Sequence, residues 1–92
     1  MRIDKDEIAD FEFRGNQDLT YIRIGEDVRK IGEKAFANSP NLTGVVIEES
    51  DCPIRICLDA FSNCKHLVDI TIKRQAIFYK KIKYGRKLWK SF

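Results

Sequence analysis

Leu19-Thr20-Tyr21-Ile22-Arg23-Ile24 returns twice in this chain, as Leu42-Thr43-Gly44-Val45-Val46-Ile47 and as Leu67-Val68-Asp69-Ile70-Thr71-Ile72. The copies start at residues 19, 42 and 67, so the pattern repeats after 23 and then after 25 residues. Each copy ends in an alternation of apolar and other residues with period two, which is typical of a β-strand with one buried face. A period in this range predicts a solenoid, in which the three strands lie parallel and side by side.

A second unit recurs between the strands. Ala35-Phe36-Ala37-Asn38 returns 25 residues later as Ala60-Phe61-Ser62-Asn63. We expect each copy to form a helical turn at the edge opposite the strands, where the small alanine permits close approach and the phenylalanine fills the interior. The strand positions then form three inward ladders, Leu19/Leu42/Leu67, Ile22/Val45/Ile70 and Ile24/Ile47/Ile72.

The order of these units resembles the BspA-type (treponemal) leucine-rich repeats, whose pattern runs Leu-x-x-Ile-x-Ile, Val-x-x-Ile-Gly and Ala-Phe-x-x-Cys. Residues 28–32 match the second unit, residues 60–64 match the third, and the resemblance covers residues 19–72. Three positions depart from the pattern: Ser39 replaces the cysteine, Cys57 replaces the glycine, and the acidic stretch 48–53 adds two residues. The resemblance implies a recognition scaffold, often part of surface proteins of bacteria and protists.

The predicted fold class is therefore an α+β repeat, a short leucine-rich-repeat solenoid in one 92-residue domain. Residues 1–18 form an N-terminal cap, 19–41 and 42–66 two repeats, 67–76 a partial third repeat, and 77–92 a basic C-terminal cap. Within the first cap, residues 8–13 copy the alternation of the repeat strands and predict a strand or hairpin, with Glu12 opposite Arg23.

The C-terminal residues have a distinct charge. Residues 1–72 hold all 14 acidic residues and nine basic ones, whereas residues 73–92 hold eight basic residues and no acid. Phe78, Ile82 and Trp89 follow helical spacing with lysines opposite, which predicts a basic amphipathic helix over 77–92, although Gly85 also permits a hairpin turn. Three roles stay open: a cap over the last repeat, a phosphate-binding surface, or an interfacial helix on anionic membranes.

Catalytic chemistry is not indicated. The glycines form no nucleotide-binding fingerprint, and no nucleophile, histidine and carboxylate occur in a catalytic order. His66 occupies a polar turn position before Leu67, and Cys52, Cys57 and Cys64 include no Cys-x-x-Cys pair for zinc. We therefore predict a non-enzymatic protein without a metal or cofactor. The odd number of cysteines and the charged N-terminus favour a cytoplasmic location, with a surface location if a leader has been removed.

The remaining candidates are surfaces for partners. A protein partner on the outward strand face is the first hypothesis, through Tyr21, Arg23, Val46, Asp69 and Thr71. The alternative is a nucleic-acid or nucleoprotein partner on the basic tail, through Lys80, Lys81, Lys83, Arg86, Lys87, Trp89 and Lys90. Exposed solenoid ends also allow a homodimer.

Overall fold

The computed structural model describes residues 1–81 and 89–91 of the chain. They form nine strands: β1 (Arg2–Ile3), β2 (Glu7–Ile8), β3 (Tyr21–Ile24), β4 (Lys30–Ile31), β5 (Gly44–Ile47), β6 (Ile54–Cys57), β7 (Asp69–Ile72), β8 (Ala76–Lys81) and β9 (Trp89–Ser91). The described part of the chain contains no helix, so the helical share of the expected α+β class is wrong there.

The strands form two sheets on opposite sides of a parallel β-solenoid. The front sheet has the order β1-β3-β5-β7, and the back sheet has the order β2-β4-β6-β8-β9, with only β9 antiparallel to its neighbour. The predicted parallel stacking is confirmed, because Ile22 pairs with Val45 and Val45 with Ile70, as the 23- and 25-residue spacings require. The back sheet, absent from the sequence prediction, runs through Ile8, Ile31 and Ile56.

The core lies between the sheets and the turns that join them. Phe36 is fully buried between Phe13 and Phe61, with ring centroids 5.3 Å apart on both sides and nearly parallel planes. Each fully buried aliphatic side chain of the two sheets contributes roughly 1.5 to 3 kcal/mol. One aromatic column and the aliphatic ladders therefore hold successive turns together.

The Ala-Phe units form non-helical turns, so the expectation of a helical turn in each unit is wrong. Lys34 and Asn38 have positive φ angles of 51° and 58°, and Asn63 repeats this conformation at 57°. A left-handed residue interrupts the run of right-handed angles that a helix needs. The turn backbones instead bond to the next turn of the solenoid, as when the Phe36 amide donates to the Ala60 carbonyl at 2.8 Å.

The N-terminal strand predicted over residues 8–13 is wrong in extent and in position. Only Glu7–Ile8 is a strand, and it lies in the back sheet, while Arg2–Ile3 supplies the first front strand. Glu12 lies in a turn and pairs with Lys5, so the expected pair with Arg23 does not form. Residues 8–13 repeat the Ile-x-x-x-x-Phe spacing of residues 31–36 and 56–61. The sequence therefore contains a signal for this turn, which the strand prediction overlooked.

The helix predicted over 77–92 is wrong for the residues described there. Ala76–Lys81 is a strand that pairs with β6, with Phe78 opposite Ile56, and Trp89–Ser91 is the antiparallel strand β9. Ile77, Phe78 and Tyr79 are residue types that favour strands, and the edge of β6 offers them backbone partners that no isolated helix has. Residues 82–88 and 92 lie outside the described residues.

Candidate functional site

The five residues predicted to contact a protein share the outward face of the front sheet, which we call the front face. Tyr21 and Asp69 lie on either side of Gly44, and Arg23 and Thr71 lie on either side of Val46. Neighbouring strands are about 4.8 Å apart, so each row spans about 10 Å of backbone. The alternation of the strands thus brings the predicted residues together as expected.

The aromatic ring of Tyr21 lies across Gly44 on the neighbouring strand. Its Cδ2 and Cε2 atoms are 2.7 and 2.9 Å from the point that a Cβ atom on Gly44 would occupy. Only a residue without a side chain leaves room for the ring there, and Tyr21 stays 44% exposed. The result is an aromatic side chain that is seated on the sheet while much of it faces solvent.

The cations of the front face converge on one carboxylate. Arg2 donates to both oxygens of Glu48, from Nε and Nη2 at 3.0 Å each, and Arg23 Nε lies 3.2 Å from Oε2. Hydrogen bonding from Arg2 holds the pKa of Glu48 below its ordinary value, although burial acts in the opposite direction. Glu48 therefore stays ionised and fixes Arg23, whose side chain remains largely exposed.

Sequence reasoning treated Glu48 only as part of the acidic stretch 48–53 and missed this role. Its partners Arg2 and Arg23 are separated from it by 46 and 25 positions in the chain. The only available signal was the repeat spacing itself, because Arg23 and Glu48 are 25 residues apart, one repeat period. On β7, the Asp69 carboxylate of the front face accepts a hydrogen bond from the Thr71 hydroxyl at 3.4 Å.

Arg74 supports the front face from the corner between the sheets. Its guanidinium donates to the carbonyls of Gly25 and Val28 at 2.6 Å and to that of Glu48 at 3.0 Å. Burial lowers the pKa of Arg74, but the carbonyl oxygens offer acceptors for its N–H groups. One side chain therefore ties three successive corners together, and sequence reasoning had counted it only as a charge of the basic tail.

The structure places part of the predicted tail site. Lys80 is exposed on β8 and pairs through its backbone with Lys90 of β9, and Lys81 likewise pairs with Trp89. Lys83, Arg86 and Lys87 lie outside the described residues. The backbones of Lys80 and Lys90 are thus direct neighbours in the antiparallel pair of β8 and β9.

A shallow cleft of about 540 Å³ lies on the outward face of the back sheet. Its lining includes Asp6, Glu7, Arg29, Lys30, Arg55 and Ile77. The Lys30 ammonium lies 3.8 Å from the Glu7 carboxylate, so acids and bases are mixed along the cleft. This mixture gives the cleft no strong preference for an anion or a cation.

The remaining chemistry-bearing residues have structural partners. His66 lies in an exposed turn with Nδ1 2.8 Å from the Pro40 carbonyl oxygen, as its turn position predicts. The Cys57 thiol is buried and donates to Asp59, and the Cys64 thiol donates to the Phe36 carbonyl. Among residues 1–81 and 89–91, no cluster of three or more histidine, cysteine or acidic residues could hold a metal ion. No helix in those ranges is long and apolar enough to cross a membrane.

A comparison with family models matches residues 4–84 to the BspA type leucine rich repeat region, in six copies. Searches of curated proteins and of solved structures found no match. The matched range extends beyond the predicted residues 19–72 at both ends, over the N-terminal turn and β8. Leucine-rich repeats generally mediate protein–protein interaction and are typically not enzymes. Because the match spans most of the chain and the strands stack in the register that the repeat spacing dictates, this chain belongs to the BspA-type leucine-rich repeat family.

Proposed function

We propose that this protein is a non-enzymatic interaction module that binds a protein partner on its front face. The observation that supports this most directly is the ring of Tyr21 seated over Gly44. Tyrosine and arginine are the residue types that most often dominate the energy of protein interfaces. Here both are on one rigid sheet, two residues apart on β3.

The front face is organised before a partner arrives. The Tyr21 ring is confined by the sheet beneath it, and Arg23 is held by Glu48 while its side chain is exposed. Side chains that are already ordered lose less conformational entropy on binding. Half-buried Val46 and Thr71 beside them supply apolar area. The complementary partner surface has a pocket for an aromatic ring and hydrogen-bond acceptors for a guanidinium.

The test uses two stages. A photo-crosslinking amino acid in place of Thr71 identifies the partner, with the same amino acid in place of Arg55 on the back sheet as the control. The dissociation constant is then measured by calorimetry with the purified partner. Removing a central interface residue costs about 2 kcal/mol or more, so Tyr21→Ala and Arg23→Ala should each weaken binding roughly 30-fold. Arg55→Ala should leave it unchanged. Loss of binding in Arg55→Ala with full affinity in both front-face variants would refute the proposal.

A second candidate function is binding of a nucleic acid or nucleoprotein through the tail. The observation that favours it is the β8–β9 pairing, which sets Lys80 opposite Lys90. Phosphate contacts release counterions, so this binding should weaken steeply between low and moderate salt. Replacing Lys80, Lys81, Lys83, Arg86 and Lys87 with glutamine should abolish RNA or DNA binding and leave the front-face partner bound. Unchanged nucleic-acid affinity in that variant eliminates this candidate.

A further inference from the structure

The two sheets end differently at the C-terminal end of the solenoid. The front sheet ends with β7, whereas the back sheet continues beyond β8 with β9. Within the part of the chain that the structure describes, no strand pairs with the outer edge of β7. The front sheet is thus one strand shorter than the back sheet at this end, which leaves a step that is one strand wide.

Among residues 1–81 and 89–91, no strand pairs with the backbone groups on the outer edge of β7. The amides of Asp69 and Lys73 donate to the Thr43 and Ile47 carbonyls, at 3.3 and 3.0 Å. Successive residues of a strand direct their N–H and C=O groups to opposite sides, so those of Ile70 and Ile72 face away from β5. An extended chain beside β7 would find donors and acceptors at both positions.

The same step exposes apolar side chains that are buried in the preceding turn. Ile70 and Ile72 are 46% and 36% exposed, whereas their β5 counterparts Val45 and Ile47 are buried. Val68, just before β7, is 87% exposed. Covering this surface with another strand would complete the ladders that run through the rest of the front sheet.

We propose that β7 accepts an extended peptide segment of a partner protein as a fifth strand of the front sheet. The step fits one strand, because β9 extends the back sheet by one strand at the same end. A second copy of the chain does not fit in this way. If two copies met edge to edge, their β7 strands would pair antiparallel about a two-fold axis normal to the front sheet. The β9 strand of each copy would then occupy the space of the other copy's back sheet. This strand addition relies on backbone groups at the edge, and it shares Asp69 and Thr71, but neither Tyr21 nor Arg23, with the front face.

The exposed side chains of β7 define the chemistry of the segment. Continuing the parallel register of the solenoid places apolar residues opposite Ile70 and Ile72. A cation then lies opposite Asp69, and an acid lies opposite Lys73, as complementary cross-strand pairs. The expected segment therefore has the pattern cation, aliphatic, threonine, aliphatic, acid.

A synthetic peptide, acetyl-Leu-Thr-Lys-Val-Thr-Ile-Glu-amide, tests the proposal by nuclear magnetic resonance titration of the full chain into the millimolar range. We expect shifts concentrated on the Ile70 and Ile72 amides. A peptide with its lysine and glutamate exchanged should bind roughly three- to tenfold more weakly. N-methylation of the second threonine, opposite Thr71, should abolish binding because that amide faces β7. N-methylation of the next residue, isoleucine, should not.

Chain variants complete the experiment. Ile72→Pro removes an edge N–H without removing a bond to β5, and it should abolish peptide binding while the circular dichroism spectrum is retained. Tyr21→Ala should bind the peptide normally, which separates this proposal from the front-face function. Equal binding by the two N-methylated peptides overturns the proposal, and this comparison stands even if Ile72→Pro fails to fold. A dimer in sedimentation that Ile72→Pro dissociates also overturns it, because a second copy would then occupy the edge.

Discussion

The stack of Phe13, Phe36 and Phe61 predicts a graded loss of stability when each ring is removed. Phe36 is fully buried with a parallel ring 5.3 Å away on each side, whereas Phe61 is half-buried with one such neighbour. Phenylalanine-to-alanine changes in cores cost about 3 to 5 kcal/mol, and each aromatic pair adds about 0.5 to 1.5 kcal/mol beyond burial. We therefore expect Phe36→Ala to cost about 4 to 5 kcal/mol and Phe61→Ala about 2 to 3 kcal/mol.

The assay is urea unfolding followed by far-ultraviolet circular dichroism, with the slope of the transition compared between variants. A 92-residue domain has a free energy of unfolding of roughly 5 to 14 kcal/mol, so Phe36→Ala can leave little folded protein. Phe36→Leu serves as the milder variant, since it keeps most of the apolar volume and loses the ring contacts. A Phe61→Ala cost equal to or above that of Phe36→Ala would refute the idea that the central ring joins the turns.

Three further predictions test the contacts around the front face. Arg74→Lys should lower the free energy of unfolding by about 2 kcal/mol, because a compact ammonium cannot bond at once to the Gly25, Val28 and Glu48 carbonyls, and a thermal melt with Lys73→Ala as the control checks this. The pKa of Glu48 lies below its ordinary value of 4.5 in the folded chain. In the pH range just below 4.5 the unfolded chain therefore binds more protons than the folded chain, and the free energy of unfolding rises with pH across that range. Glu48→Gln should therefore flatten the loss of stability as the pH falls below 4.5, as urea unfolding at several pH values would show. Gly44→Ala should displace the Tyr21 ring with a stability change under about 1 kcal/mol, and unchanged Tyr21 ring resonances would contradict this.

Much of the front face could be predicted from the sequence. Once Ile22 and Ile24 are placed inward, the period of two directs Tyr21 and Arg23 outward, and the repeat spacing sets Val46 beside Arg23. The back sheet was harder to predict, since β2 and β4 are two residues each and show no alternation. The contact of Glu48 with Arg2 joins residues that no local pattern relates, and it exists only because three turns stack in register.

The sequence by itself determined the period, the parallel register and the inward ladders, because these follow from residue types that recur at fixed spacing. The tertiary structure decided how the solenoid begins and how its corners are held. The corner segments between front and back strands differ in length, so no period predicts that Arg74 reaches Gly25 and Val28. The tertiary structure also decided that Ala76–Lys81 is a strand, because the edge of β6 offers backbone hydrogen bonds that outweigh the helical spacing of the side chains.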